Sequence, residues 1–485
     1  VTGHRLSRIA TAAAVLLVLA AYAFFGSGGT FSFRRVAWDH AFPGFTEGYY
    51  ARLAESFLHG RLDLRFDPDP RWQQVTNVYD YESRKAQGME WAYWDASYYG
   101  GKFYLYFSPV PVVLFYLPFR LVARGYPPDS LIATLACAWA FLAGVAFVKR
   151  ALARRATHVP FALWVLLLGV ANVIPFMLAD LRTYEVAIAT GMAMTAMWAC
   201  ALLRFVESGA PRHAMWMGLW LALAIATRPN LLPLAIVTAV ALWRLGPHRQ
   251  TRAILFALVP LVAIGAVMAG YNFLRFGSVT ELGVTYQISY VPVWRRRICS
   301  LCNFPEAMRF VNNVVHYVFW APHFDSAFPF VELQRSSLDP GVSFTGGSEQ
   351  IGGVGALSPL TLLGTACALV LAAYRERRDD GARAAIAVLA GGWLVLCGLS
   401  TCHWVTARYV LDFMLLMTVA SVVCVERALS LLAEANVRTR VLARAIALVA
   451  VASIGTCLLL GFRGSDGAFA KKHPALFEKT RTMFD

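Results

Sequence analysis

Ile9-Ala-Thr-Ala-Ala-Ala-Val-Leu-Leu-Val-Leu-Ala-Ala-Tyr-Ala-Phe-Phe25 contains no charged residue and follows Arg5 and Arg8. A run of this kind, once helical, is long enough to cross most of a bilayer's hydrocarbon. Similar runs of roughly 17 to 25 residues recur down the chain. With the first at about 9–26, they lie at about 128–148, 160–179, 184–204, 213–227, 230–245, 252–271, 355–374, 383–400, 404–425 and 441–461. The composition agrees, with 58% hydrophobic and only 15% charged residues over 485 positions and a mean hydropathy of +0.53. The chain reads as an all-α polytopic membrane protein with about eleven transmembrane helices. A cleavable signal peptide would share the basic flank of the first run, but no small-residue cleavage pattern follows. That run is read as a retained span.

The net charge of +15 would point to nucleic acid in a soluble chain. Here the basic residues cluster between spans: Lys149, Arg150, Arg154 and Arg155; Arg244, Arg249 and Arg252; Arg375, Arg377, Arg378 and Arg383; Arg438, Arg440 and Arg444. That pattern is the positive-inside bias, which puts these loops in the cytoplasm. With the first terminus inside, eleven crossings keep every cluster there and leave the last terminus outside. Tyr104 to Val122 is apolar but broken by Pro109, Pro111 and Pro118. A crossing there would move the clusters outside, so it is expected to lie at the outer interface.

The expected organisation is a first span over 1–26, an external loop with juxtamembrane helices over 27–127, and spans two to seven over 128–271. A second external loop over 272–354, spans eight to eleven over 355–461 and an external tail over 462–485 follow. Residues 27–103 hold ten of the 29 acidic residues, Asp39, Glu47, Glu55, Asp63, Asp67, Asp69, Asp80, Glu82, Glu90 and Asp95. Both loops are expected to be short helices packed over the membrane. Of nine cysteines, seven lie in or beside apolar segments and read as small core residues. Cys299 and Cys302 form a C-x-x-C without two further ligands at zinc spacing, which favours a local disulfide.

Chemistry concentrates outside. Glu47 opens an amphipathic pattern through Tyr50, Leu53, Ala54, Phe57 and Leu58. A carboxylate there can accept a proton from a hydroxyl or amine, or merely favour the positive end of a helix. Asp39 is a second candidate base. Lys102, in Gly100-Gly-Lys-Phe-Tyr-Leu-Tyr106, suits a phosphate, with glycines allowing close backbone approach; a snorkelling lysine is the structural alternative. Asp95 and the nearby Tyr98, Tyr99 and Tyr104 are candidate substrate contacts. Arg182, Glu185, Arg228, Arg408 and Asp412 stand at outward helix ends, against the usual bias, and are functional candidates for that reason. Pairing such as Arg408 with Asp412 at i, i+4 is the plain alternative, but several outward arginines together form an anion-binding rim. Asn272, Arg275, Tyr286 and Gln287 supply amide, guanidinium and aromatic groups suited to a sugar or phosphate head, although a helix C-cap and turn would also use Asn and Gly277. His403 adds a further ligand group beside Trp404.

This constellation resembles the GT-C superfamily of membrane glycosyltransferases, which includes bacterial aminoarabinose transferases and protein O-mannosyltransferases. Thr46-Glu-Gly-Tyr-Tyr-Ala-Arg-Leu-Ala-Glu-Ser-Phe57 is similar to the family's Asp-Glu-x-x-Tyr-Ala motif. Gly101-Lys-Phe-Tyr-Leu-Tyr-Phe-Ser-Pro-Val-Pro111 looks like its Lys-Pro-Pro-type segment, Thr183-Tyr-Glu-Val-Ala187 like its outer acidic hairpin, and Ala226-Thr-Arg-Pro229 like the basic residue ending a later span. Tyr271-Asn-Phe-Leu-Arg-Phe-Gly277 and Arg408-Tyr-Val-Leu-Asp-Phe413 resemble segments of bacterial proteins of this class. The resemblance implies a GT-C-like bundle, a polyprenyl-phosphate sugar donor and inverting transfer on the outer face of a bacterial inner membrane to a lipid, glycan or protein acceptor. It implies Glu47 as base, Lys102 and Arg228 on donor phosphate, and Glu185 orienting substrate; Arg182, Arg275 and Arg408 are further candidates for donor phosphate on the strength of their charge and position. The first acid of the family pair is Thr46 here, so either Glu47 serves alone or Asp39 takes that role. Some members use a divalent metal and others none, and no ligand set in this chain demands one.

A transporter or flippase of a lipid-linked saccharide is the reading from another class. It would more readily show internal repeats and broken helices with charges at mid-membrane, whereas the charged candidates here gather at one face. An O-antigen ligase or polymerase shares the large external loop but fits the first-loop motif less well.

Overall fold

The computed structural model describes residues 2–33, 48–64, 68–153, 156–244, 247–289, 304–335, 349–374, 379–402 and 405–484. The chain is mostly helical. Among the described residues, seven helices are long and apolar enough to cross a membrane: Leu6–Gly26, Asp129–Ala151, Thr183–Ser208, Gln250–Phe276, Asp380–Ser400, Ala407–Glu434 and Thr439–Lys472. Phe161–Val170, Pro229–Trp243 and Leu360–Ala373 are shorter apolar helices, and Pro211–Thr227 is another helix. Each segment expected to span is largely helical over its described residues, and the long apolar helices mark a membrane-embedded chain.

The segment expected over 160–179 is broken into Phe161–Val170 and Ile174–Leu178. Pro175 lies in the first turn of the second piece, where its missing N–H costs nothing. Asn172 satisfies the break, donating to the Leu168 and Gly169 carbonyls and accepting from the Ile174 N–H. The buried Tyr22 hydroxyl adds a 2.6 Å bond to Gly169.

Small residues let the helices approach closely. A Cβ at Gly218 would sit 2.2 Å from the Ala257 carbonyl oxygen, and one at Gly364 would sit 2.1 Å from Ser421 Cβ. Polar groups collect at the bundle's two ends. At one end Arg150 pairs with Glu207, and Arg427 lies 3.9 Å from Asp379. Buried Glu426 there accepts from the backbone N–H groups of His158 and Val159 and from the Trp164 indole. Lys149, Arg204, Arg244, Arg252, Arg383, Arg438, Arg440 and Arg444 are exposed near this end. Between the ends, Ser130 to Val148, Val186 to Leu203 and Phe413 to Val425 carry no charge.

The other end carries a cap made from both large loops. The first loop contains the expected short helices, among them Tyr49–Leu58 and Tyr81–Lys85, but also an antiparallel hairpin of Ala96–Tyr99 with Lys102–Leu105. Gly100 and Gly101, at φ 57° and 76°, form its two-residue turn, a conformation that glycine adopts without steric cost. The second loop joins the hairpin through a bridge between Ser97 and Gln287 and reciprocal bonds from Asp95 N–H to Ile288 and from Ile288 N–H to Ala96. Fully buried Arg84 donates to the carbonyls of Val78 and Ser289, so one guanidinium ties the loops together. Val112–Ala123 is too short to cross on its own. The second loop also holds a helix, Phe304–Phe319, whose Asn313 caps the carbonyls of Ser400 and Cys402. The tail helices Ala468–Lys472 and Pro474–Arg481 fold back onto an aromatic cluster of Phe24, Phe462, Phe469, Phe328 and Phe477.

Gly218→Val should force Pro211–Thr227 off Pro247–Phe276 and cost about 3 kcal/mol. Thermal unfolding in detergent checks this, and an unchanged midpoint would refute the close approach.

Candidate functional site

Where the cap meets the bundle, the helix ends carry an ionic network. Pro211–Thr227 stops because Arg228 precedes Pro229 and takes an extended conformation, φ −144° and ψ 102°, which a residue before proline favours over α. The Arg228 side chain crosses Gly191, where a Cβ would lie 3.0 Å from its Cδ. It reaches buried Asp412, with Nη2 at 2.6 Å and Nε at 3.1 Å from Oδ2. Asn230 donates to the same oxygen at 2.7 Å. Oδ1 of Asp412 and the nearby buried Tyr317 hydroxyl have no hydrogen-bond partner among the described residues.

Arg408 makes the second node. Its guanidinium stacks 4.3 Å over the Tyr184 ring and bonds Glu349 at 2.6 Å through Nη2, while Nη1 lies 3.8 Å from Glu185. Glu185 sits at the third position of Thr183–Ser208 and accepts from the Arg182 N–H at 2.8 Å, closing the helix start from within. Arg182 pairs with Asp180, which also binds Lys472 of the tail at 2.6 Å. The i, i+4 pairing of Arg408 with Asp412 does not form. Arg408 lies in the 3₁₀ turn Ala407–Val410 and Asp412 in the α-helix that follows it, so the two are not four residues apart along one regular α-helix.

The first loop reaches this network. Gly48 lies so close that a Cβ on it would meet Asp129 Oδ2 at 2.6 Å, and the Tyr116 hydroxyl bonds the same carboxylate. The buried Tyr50 hydroxyl has no hydrogen-bond partner among the described residues and lies within electrostatic reach of Asp129, Arg228 and Glu185. Asp95, at φ 61°, holds a left-handed conformation that aspartate tolerates better than most residues. Gln287 donates to it at 2.5 Å. Desolvation first, and then the Asp95 charge, push the Tyr49 and Tyr106 hydroxyls well above the usual phenol range. Tyr106 also feels Arg408, Tyr184 and Tyr409, so it links Asp95 to the arginines. Tyr106, Tyr184, Arg408 and Tyr409 are only partly exposed.

Of the residues singled out from sequence, Arg182, Glu185, Arg228, Arg408 and Asp412 meet in this network, with Asp95 and Gln287 beside it. The others that the structure describes stand apart. Lys102 is exposed at the hairpin tip. Arg275 is buried between Tyr271 and Phe276 and donates to Leu105 and Asn272, fastening hairpin to helix. Tyr99, Tyr104 and Tyr286 pack around Phe276, and Tyr98 packs with Trp72 and Phe103. Asp39, Glu47, Cys299, Cys302 and His403 lie outside the described residues. Among the described residues no group of three His, Cys, Asp or Glu side chains comes together as a metal site. Tyr50, Tyr106, Asp129, Asp180, Thr406, Glu349 and Lys472 were not singled out. Only Asp129 and Asp180 carried a signal, as acids beside outward helix ends.

No protein-family model and no curated protein matches this chain.

Arg228→Leu or Asp412→Leu alone strands a buried charge and should cost about 3–5 kcal/mol, whereas the double variant should recover most of that. Thermal unfolding of the three proteins checks it; a double variant as unstable as the sum of the singles would refute the pairing.

Proposed function

We propose that the chain is an inverting GT-C-type glycosyltransferase, crossing a bacterial cytoplasmic membrane about eleven times with its cap outside. It would move a sugar from a polyprenyl-phosphate donor to a lipid, glycan or protein acceptor. The observation that carries the reading is that Tyr50, three residues after Glu47, lies within electrostatic reach of Arg228 and Glu185, and that Glu185 in turn lies beside Arg408 and Arg182 at one end of the bundle. The exposed basic residues at the opposite end support the orientation through the positive-inside bias.

The chemistry asked of such a site is modest. The donor already carries a phosphate leaving group, so the protein must hold that anion, orient the acceptor and take one proton. The acceptor hydroxyl or amine gives its proton to the carboxylate of Glu47 or Asp39. Its freed lone pair bonds to the anomeric carbon from the face opposite the phosphate, and the C–O bond to phosphate breaks with its electrons on the phosphate oxygen. Guanidinium groups such as those of Arg408 and Arg228 would suit that developing charge, and aromatic rings such as Tyr106 and Tyr184 would suit a sugar face.

The test is transfer of radiolabelled sugar from a panel of polyprenyl-phosphate donors by the full chain in lipid, comparing wild type with Glu47→Gln. Loss of transfer by about 10²–10⁴ with donor binding kept is expected for a missing base. Undiminished transfer would shift the role to Asp39 or Asp95. Binding without transfer for every donor and acceptor would overturn the enzyme reading in favour of a transporter.

A further inference from the structure

Arg408 has a ready-made anion seat, and the protein fills it with its own carboxylate. Glu349 Oε1 accepts from Arg408 Nη2 at 2.6 Å and Oε2 accepts from the Thr406 hydroxyl at 2.6 Å. The two donors thus grip both oxygens of one planar anion. Beneath them Tyr184 stacks on the guanidinium, and Arg408 Nε is buried with no hydrogen-bond partner among the described residues. A guanidinium and a hydroxyl fixed side by side recognise a phosphate as readily as a carboxylate.

Charge balance says which group must move when a phosphate arrives. Among the described residues of the network, Lys472, Arg182, Arg408 and Arg228 face Asp180, Glu185, Glu349 and Asp412. Cations and carboxylates are equal in number, so a further anion would leave uncompensated negative charge in a poorly solvated place. One carboxylate must then leave. Glu185 and Asp412 are fixed on long helices at 4% and 0% exposure, and Asp180 is held by two cations. Glu349 belongs to the second loop, just before the short strand Gln350–Ile351, and is 32% exposed. It is the carboxylate that can swing into water at least cost.

We propose that Thr406 and Arg408 form a phosphate-binding seat that Glu349 occupies as an intramolecular stand-in, displaced when a phosphate group arrives. The identity of the phosphate as a lipid-linked donor's rests on the glycosyltransferase reading, but the seat itself does not. Neutralising Glu349 therefore strengthens phosphate binding instead of weakening it, the opposite of what loss of a mere structural tether would do.

The experiment titrates the full chain in zwitterionic nanodiscs with polyprenyl phosphate in one arm and inorganic phosphate in the other. It compares wild type, Glu349→Gln and Glu349→Gln/Thr406→Val. Glu349→Gln should bind at least about fivefold more tightly, since a charge-assisted competitor is gone, and the added Thr406→Val should reverse the gain. A gain with polyprenyl phosphate alone assigns the seat to a lipid headgroup, and a gain in both arms assigns it to phosphate from either source. Binding unchanged or weakened by Glu349→Gln in both arms overturns the proposal. Sugar transfer measured on the same wild-type preparation separates the two readings. Transfer with no gain in binding defeats the seat alone, and a gain in binding with no transfer to any acceptor defeats the transferase alone.

Discussion

A charge at the end of an apolar helix must find a partner, because neither lipid nor packed side chains can solvate it. That constraint organises the capped end of this molecule. Arg228 and Asp412, 184 positions apart, bind each other because each would otherwise be stranded in the bundle. Arg408 is held between Glu185 on one helix and Glu349 on a loop, and Asp180 draws in the tail through Lys472. The pairs fix how the helix ends meet, and the cap then sits on a rigid charged floor.

The cap has its own logic. Residues near 80–105 and 283–289 are separated by most of the bundle, yet they share backbone hydrogen bonds and the Arg84 guanidinium. Trp72, Tyr93 and Phe103 of the first loop pack on one another, and the second loop adds buried Ile288, whose carbonyl accepts from the Asp95 N–H. Rigidity at the junction is what a site needs if groups from five or six segments must keep their positions.

The helices were legible because long uncharged runs have few alternatives to a helix in lipid. The arginines at Arg182, Arg228 and Arg408 were legible because they stand in sequence at helix ends away from the basic clusters. Their partners were not, since contacts such as Arg228 with Asp412 depend on tertiary packing and leave no local pattern. Gly100 and Gly101 allow two uses from sequence: the flexibility that would let a backbone approach phosphate also makes a hairpin turn, and the structure shows the turn. The protein partners of Arg275 were likewise not legible, since its guanidinium meets Leu105 and Asn272 between two aromatic rings only once the hairpin is in place. Thr406 and Glu349 gave no signal, because a seat made by a distant loop and a helix start exists only once the chain is folded.

The central claim is that the charged floor and its cap face away from the cytoplasm, while the exposed arginines at the other end face it. Single cysteines at Lys102→Cys, on the hairpin tip, and Arg440→Cys, at the opposite end, in a cysteine-free background test this with a membrane-impermeant maleimide. The account predicts labelling at position 102 in intact spheroplasts and at position 440 only in inside-out vesicles. Reversed labelling, or labelling of both positions from one side, would contradict it.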